Sequence, residues 1–369
     1  MSQYYFLPHD RLDDLIAYLR SKGYQIKAPV VDDGSIVYAD LTSASDLPWG
    51  YIDSQEAAHY SILKTDSKTA FGWTLPVQSV KPMLFEEKEV LWEVTRDQSG
   101  KLGFKPREDK RAYAVLGVRP CDLRAIEIQD RVFVDNAYQD VRYKARREAL
   151  FIIAANCTSC HHNCFCVSLG DSPRADAGYA LAMTEIEAGF VVESGSEKGR
   201  CCIEALALMP ASASQTHTAL DKIAEAANMQ EKAIPDIKTV EKTLGSAYDH
   251  PAWQAVAERC LSCGSCTQAC PSCFCHTERD YPKLDGNSTE HVREWDSCFS
   301  ADHSYTHGEL YRQDIKYRYR QWLVHKFSTW QDQFRTKGCV GCGRCITWCP
   351  VKIDVTEEIN TICRKEIKQ

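Results

Sequence analysis

Two stretches decide the reading of this chain: Cys260–Pro271 (CLSCGSCTQACP) and Cys339–Pro350 (CVGCGRCITWCP). Both follow one spacing, Cys-x-x-Cys-x-x-Cys-x-x-x-Cys-Pro. A [4Fe–4S] cluster asks for one thiolate at each iron, and Cys thiolates are its usual ligands. Two-residue gaps let three successive sulfurs of a tight loop converge on one cube, and the fourth sulfur must arrive from elsewhere. The trailing prolines, Pro271 and Pro350, turn the chain away from each site, because proline fixes φ and donates no hydrogen bond. Gly264, Gly341 and Gly343 allow backbone to pass close to sulfur.

The spacing is that of bacterial-type ferredoxins, in which the last Cys of each run ligates the other run's cluster. Applied here, one cluster takes Cys260, Cys263, Cys266 and Cys349. The other takes Cys339, Cys342, Cys345 and Cys270. Structural zinc is the alternative. Zinc sites usually show paired C-x-x-C halves around one ion, and two complete runs with a trailing Cys-Pro fit that poorly.

The chain has 369 residues, 44% of them apolar, a net charge of −7 and 19 cysteines. This is enough chain for two or three domains with a sizeable core. The charge is too mild to imply a nucleic-acid or membrane partner. Cysteines grouped at ligand spacing point to metal and a reducing compartment rather than to disulfides. The first residues lack a basic region followed by an apolar core, and no twin-arginine leader is seen, so the expectation is a soluble, cytoplasmic protein. The longest apolar stretch, Ala149–Ala155, is far too short to span a bilayer.

Along the chain, Leu12, Leu15, Ile16 and Leu19 form one helical face, with Asp10 as the expected cap and Gly23 as the stop. Tyr24–Val31 and Ser35–Leu41 read as strands joined by a turn at Asp33-Gly34. Leu47–Glu93 is mixed and gives no assignment. Ala112–Val118 and Leu150–Ala155 are short apolar runs, as buried strands are. The first leads into Arg119-Pro120-Cys121-Asp122 and a helix from Leu123 to Asp130; the second leads into Asn156-Cys157. Both cysteines thus sit just past strand ends, where open sheets place their sites. A third strand, near Phe190–Glu193, precedes a helix over Glu197–Leu208. Ser212–Lys242 reads as a helical connector. The expected fold is α+β, with an N-terminal α/β domain over 1–245 and a ferredoxin-like domain over 246–369. The latter carries a long insert, Pro271–Gly338, between its two runs.

A second cysteine group, Cys157, Cys160, Cys164 and Cys166 (CTSCHHNCFC), joins Cys121 in offering five thiolates near two adjacent strand ends. Four would hold a third [4Fe–4S] cluster. Zinc is a fairer rival here, since His161 and His162 are also good ligands, and buried inert thiols are the bland reading. Cys273, Cys275 and Cys298 are open between packing residues, a partial site and a redox-active set, with packing around the clusters favoured. Cys201 and Cys202 sit in a helical pattern and read as core, and Cys363 reads as structural. Arg312, Lys316, Arg318, Arg320 and Lys326 alternate with Tyr311, Tyr317, Tyr319 and Trp322. In an acidic chain this is weak as a nucleic-acid signal. It reads better as offsetting cluster charge or as facing a subunit partner.

In combination, Gly117–Leu123 (GVRPCDL), Asn156–Cys166, Cys270–Cys275 (CPSCFC), Arg293–Cys298 (REWDSC) and Gly338–Pro350 resemble one family. It is the iron–sulfur beta subunit of cytoplasmic nickel–iron hydrogenases, the sulfhydrogenases, with the dicluster iron–sulfur subunit of anaerobic sulfite reductase as a close relative. The resemblance covers Ala112 to the end, and the first hundred residues more loosely. It implies ligation of the third cluster by Cys121, Cys157, Cys164 and Cys166, with Cys160 as a substitute. It also implies a non-catalytic electron-transfer role. A protein of this kind works between a flavoprotein subunit that carries FAD and meets NAD(P)H and the small and large subunits of a nickel–iron hydrogenase. In the alternative reading the partner is a sirohaem sulfite reductase subunit. No G-x-G-x-x-G follows a strand, so no dinucleotide fold of the usual type is expected in this chain. The N-terminal 120 residues contain no Cys, so none of the nickel-binding C-x-x-C pairs expected near the two termini of a hydrogenase large subunit is found there. A self-sufficient enzyme built on an open iron or on Cys273, Cys275 and Cys298 is the rival of another class.

Overall fold

The computed structural model describes residues 3–107 and 111–364. Its centre is an eight-stranded sheet. Across it run Met209–Pro210, Tyr5–Pro8, Gly189–Ser194, Leu181–Ile186, Phe151–Ala155, Tyr113–Val118, Gln25–Asp32 and Ser35–Asp40. The four strands Gln25–Asp32, Tyr113–Val118, Phe151–Ala155 and Leu181–Ile186 pair in parallel, and the flanking pairs are antiparallel.

The central strands are apolar throughout because both faces are covered. Phe151, Ile153 and Ala155 pack on one side with Leu12, Leu15, Ile16 and Leu19 of the helix Leu12–Ser21. Ile152 and Ala154 pack on the other with Leu123, Ile126 and Phe133 of the helix Pro120–Phe133 and with Tyr143 of the helix Val141–Ala149. The period of two along each strand makes this division.

The expected strands and helices near the cysteines are present, with shifted bounds. The helix after Cys121 is longer than Leu123–Asp130 and includes Cys121 in its first turn. Proline is favoured at a helix start, which Pro120 occupies. Asp10 is not a cap: it lies in a 3-10 turn, His9–Arg11, and the helix begins after Arg11 without a side-chain cap. The Leu47–Glu93 stretch includes a hairpin, Tyr51–Glu56 with His59–Lys64, and part of the strand Lys88–Arg96. The strand Leu181–Ile186, not expected from local pattern, fills the place between Phe151–Ala155 and Gly189–Ser194. The connector resolves into two helices, Ala213–Asn228 and Ile237–Ser246, each begun by a capping side chain, Ser212 and Asp236.

The long insert is partly a hairpin, His276–Pro282 with Ser288–Trp295. It pairs with Lys88–Arg96, which in turn pairs with Leu102–Pro106, to make one four-stranded antiparallel sheet. At its centre, buried Glu89 accepts from Arg293 at 2.7 Å and from Arg142 at 2.5 Å, and also pairs with Arg146. Insert, N-terminal strand and helix Val141–Ala149 therefore share one carboxylate. No described helix is long and apolar enough to cross a membrane.

Gly117 has a φ of +83° at the end of Tyr113–Val118, where the pairing with Phe151–Ala155 shifts register. A Cβ there would lie 2.8 Å from the Phe71 ring and 3.1 Å from Pro29. The extra residue bends the strand as a bulge and aims Arg119-Pro120-Cys121 off the sheet. Gly117→Ala is expected to cost roughly 1–3 kcal/mol through backbone strain and overpacking. An unchanged anaerobic urea midpoint would contradict this account of the bulge.

Candidate iron–sulfur sites

Each Cys-rich run opens with its sulfurs on extended turns and then enters a four-residue helix. Gly264 (φ +77°) precedes Ser265–Gln268, and Gly343 (φ +74°) precedes Arg344–Thr347. The left-handed glycine allows the reversal between loop and helix. Cys260, Cys263, Cys266 and Cys349 line one cavity, together with Cys345 and the rings of Phe299, Tyr319 and Trp322. These four are the set expected for the first cluster. Cys270 lies within electrostatic range of Cys339, Cys342 and Cys345, the set expected for the second.

The donors around these sulfurs suit thiolates. Backbone N–H groups of Ser262, Gly341 and Ile353 point at Cys260, Cys339 and Cys349 at 3.4, 3.4 and 3.3 Å. Buried Lys326 places Nζ 3.3 Å from the Cys270 sulfur, and also donates to Ser272 and to the carbonyl of Gly338. Lys81, on the N-terminal side of the chain, donates to the carbonyls of Cys270 and Gln268 at 3.0 and 3.3 Å. Burial pushes the Cys339 thiol up to about 12 and raises Cys342 and Cys345 as well. Without a cation at hand these thiols stay protonated; with iron bound, protons leave and the charge is shared. The donor set thus fits a cluster. Among the described residues no His, Cys, Asp and Glu group is arranged to hold a single metal ion. A cubane spreads its thiolates over four irons, a wider cage than one ion needs.

The third group forms where the two parallel strand ends meet. Cys157 lies in electrostatic range of Cys166 and Cys160, Cys164 of Cys166, Cys157 and Cys160, and Cys121 of Cys157 and Cys342. All five predicted thiols are therefore neighbours, Cys160 included. Burial raises every one, Cys157 to about 12 and Cys160 to about 11. Arg119 fixes the approach of the two loops: fully buried, it stacks 4.3 Å over Trp73 and donates to the carbonyls of Phe71 and Asn156. Asn156 in turn bonds Thr184 and the backbone N–H of Ala175. Gln230, just past the helix Ala213–Asn228, donates to the Cys166 sulfur at 3.2 Å. His161 is buried, which pushes its pKa down to about 4, so it is neutral near pH 7; His162 is exposed.

This group is docked on the second run. The backbone of Gly341 passes so close to Cys166 that a Cβ would lie 2.5 Å from its Cα, and a Cβ on Gly343 would lie 2.4 Å from the Asn163 carbonyl. Phe165 N–H donates to the Gly341 carbonyl at 2.9 Å, and Asn163 to Thr347 at 2.9 Å. The two glycines serve contact with the third cysteine group as much as contact with sulfur. Asp122, beside Cys121, clasps Arg344 of the second run in a two-pronged pair at 2.6 and 3.0 Å, with both side chains fully buried.

Several residues at these sites are not visible in the motifs. Asp122 and Arg344 carry a signal, since each charge sits beside a ligand-type Cys. Lys81, Arg119 and Gln230 carry none, because their partners are remote in sequence. Of the basic stretch, Lys326 meets a sulfur, and Arg318 braces the first run through Ser262 and the Phe299 carbonyl. Tyr319 and Trp322 are core. Arg320 lies outward over Tyr248 and Tyr317. Cys202 is core as expected; Cys201 is exposed, because it falls on the outer face of its helix. Cys363 packs at the edge of the core beside the ferredoxin-like runs.

Residues 259–353 match the model of the 4Fe-4S dicluster domain. This part of the chain is therefore of the iron–sulfur class that its two runs describe. The chain is also similar to the Sulfhydrogenase 2 subunit beta of Pyrococcus furiosus, at 29% identity over 68% of this chain and 74% of that protein. The resemblance to sulfhydrogenase beta subunits read from the motifs is borne out. No solved structure matches.

Replacing Asp122 by Ala leaves the Arg344 guanidinium buried and unpaired. The expected cost is about 3–5 kcal/mol, with Asp122→Asn milder. Urea unfolding of the anaerobically purified variant checks this; a loss under about 1 kcal/mol, as for a surface pair, would refute the burial argument.

Proposed function

We propose that this chain is the electron-transfer subunit of a hydrogenase of the sulfhydrogenase type, with three [4Fe–4S] clusters and no substrate site of its own. The observation that carries the reading is the back-to-back docking of the Asn163–Cys166 segment on Gly341 and Gly343. It brings a third thiol group against the second ferredoxin run, so that three groups follow one another through the molecule. In this reading Cys260, Cys263, Cys266 and Cys349 hold the first cluster, and Cys270, Cys339, Cys342 and Cys345 the second. Cys121, Cys157, Cys164 and Cys166 hold the third, with Cys160 as the substitute.

When bound, such clusters accept and release single electrons. The chain's own residues set how readily they do so. Lys326, the inward N–H groups and the buried Asp122–Arg344 pair fix charge and hydrogen bonding around the sulfurs, which are levers on cluster potential. Tyr319, Trp322 and Phe299 wall the first site from water. One sulfur of these sets remains exposed: Cys263 borders an open pocket of about 400 Å³ lined also by Lys81, Trp295 and Trp348. This is where a partner subunit would meet the first cluster. The partners in this reading are a flavoprotein subunit bearing FAD and using NAD(P)H, and the nickel–iron hydrogenase subunits. The compartment is the cytoplasm, where so many thiols stay reduced.

Three measurements test this. Iron and acid-labile sulfide should amount to about twelve of each per chain, and Cys121→Ser should lose about four; a variant with full iron would remove Cys121 from the site. Lys326→Met should shift one cluster to lower potential by tens of millivolts, where about 59 mV is a tenfold change for one electron. Unchanged potentials would mean that Lys326 only packs. The complex purified from its source should contain nickel and reduce dyes with hydrogen; sirohaem with sulfite reduction would replace the hydrogenase by the sulfite enzyme.

A further inference from the structure

Lys316 and Arg320 belong to the basic stretch but neither meet a sulfur nor brace a run. They stand one turn apart on the helix Ile315–Val324, which buries Tyr319, Trp322 and Leu323 in the core around the first Cys-rich run. Positions three and four apart share a helical face, so Lys316, Tyr317 and Arg320 look outward together. The Lys316 ammonium lies 4.8 Å from the centre of the Tyr317 ring. The Arg320 guanidinium lies 5.2 and 5.3 Å from the centres of the Tyr317 and Tyr248 rings, and donates to the Tyr248 carbonyl at 2.8 Å. Arg318 carries the surface toward the run: it donates to the Ser262 hydroxyl at 3.3 Å and to the carbonyls of Arg312, Gln313 and Phe299. On either side of Ser262, Leu261 and Cys263 are exposed.

These three cations meet rings, carbonyls and a hydroxyl. Among the described residues no carboxylate pairs with any of them. Elsewhere carboxylates take the guanidinium groups: Glu89 takes Arg142, Arg146 and Arg293, Glu193 takes Arg174, and Glu358 takes Arg259. Asp314, close by in sequence, caps the helix by accepting from the backbone N–H of Lys316. A chain of net charge −7 thus shows an uncompensated positive surface beside its first run. Exposed charge adds little to folding; it steers and selects an oppositely charged partner. The tyrosines fit this use, since Tyr and Arg are enriched where proteins touch, and Tyr248 is 52% exposed. Permanent subunit joints are larger and more apolar than this face, whereas encounters between redox proteins are small and brief.

We propose that the surface of Tyr248, Lys316, Tyr317 and Arg320 docks a soluble, acidic one-electron carrier protein beside the first run. The proposal rests on the reading of the chain as an electron-transfer subunit and gives that subunit a partner outside its complex. A reduced carrier docked there gives up one electron and is oxidised; the iron held by the first run takes that electron and is reduced. No bond forms and no proton moves. One helix, about 10 Å across, separates the docking face from the sulfurs. Its Tyr319 and Trp322 line the same cavity as Cys260, Cys263 and Cys266.

The test uses the anaerobically purified full chain and, as probe, an oxidised two-cluster bacterial ferredoxin of net negative charge. Calorimetry should show binding that weakens at least about tenfold from about 20 to about 300 mM salt. At low salt the double variant Lys316→Glu/Arg320→Glu should lose at least about tenfold in affinity, with its iron content unchanged. Reduction by the reduced ferredoxin, followed by stopped flow, should slow by a similar factor. Reduction by methyl viologen, a small cation that needs no docking face, should stay the same. If the double variant does not fold, Lys316→Glu alone decides, with an expected loss of about threefold. Equal affinity in wild type and variant, or binding indifferent to salt, overturns the proposal. So does self-association of the wild type that the variants abolish while ferredoxin stays unbound, which would make this face a contact between copies of the chain. If methyl viologen reduces the chain and ferredoxin neither binds nor reduces it, the proposal falls and the electron-transfer reading stands; if methyl viologen also fails, both fall.

Discussion

The carboxylate of Asp122 and the guanidinium of Arg344 meet in complete exclusion from water. One stands at the start of the helix that follows a central sheet strand; the other stands between two cysteines of the second ferredoxin run. Removing either partner leaves a charge with no solvent to screen it, so the two elements are held at one separation and one orientation. Arg344 reaches further, to the Pro76 carbonyl at 3.3 Å, which adds the loop after the first hairpin to the same joint. Around this pair the sheet, the third cysteine group and the ferredoxin-like part become one object. The close backbone approach at Gly341 and Gly343 is its geometric counterpart.

Thiol-rich interiors are costly to assemble. Burial raises the pKa of Cys339, Cys342 and Cys345 and of the five thiols of the third group, so a metal-free chain keeps these thiols neutral. Cys270, beside Cys273 and Lys326, is shifted the other way. Iron exchanges those protons for a shared charge, and the surrounding N–H groups and Lys326 are then in place to receive it. Folding and cofactor loading are for this reason linked, as in other metal-dependent domains. The four-stranded sheet does related work at longer range. Glu89 gathers Arg142, Arg146 and Arg293, and so ties the insert that carries Cys298 to the N-terminal part that carries Lys81.

Local signals are legible where they are strong. The strands that end at Cys121 and Cys157 stand out as short apolar runs, and the helix of Leu12–Leu19 as one apolar face. Asp10 has the chemistry of a cap, yet the chain makes a 3-10 turn before entering the helix. Leu181–Ile186 is hidden because its neighbours in sequence are turns and its apolar character is ordinary; its place is set by pairing on both sides. The strands of 88–106 and 276–295 are hidden because they are polar and half-exposed, and their pairing spans almost two hundred residues. Cys201 shows the limit of periodicity over a short helix, where adjacent cysteines fall on opposite faces.

Spacing along the chain is enough to point to the chemistry: two-residue gaps suit three sulfurs of a loop to one cube, and the repeat is that of ferredoxins, which exchange their fourth ligands. It also locates Cys121 and Cys157 at strand ends, since a buried parallel strand reads as an uninterrupted apolar run. What faces those sulfurs is a matter of packing. Lys326, Lys81 and Gln230 approach from segments 56 to 189 residues away from the cysteines they serve. Their arrival depends on helix packing and sheet register, which no local spacing encodes. The docking of the third group on the second run is of the same kind: it needs two glycines, one buried ion pair and the bulge at Gly117 to act at once.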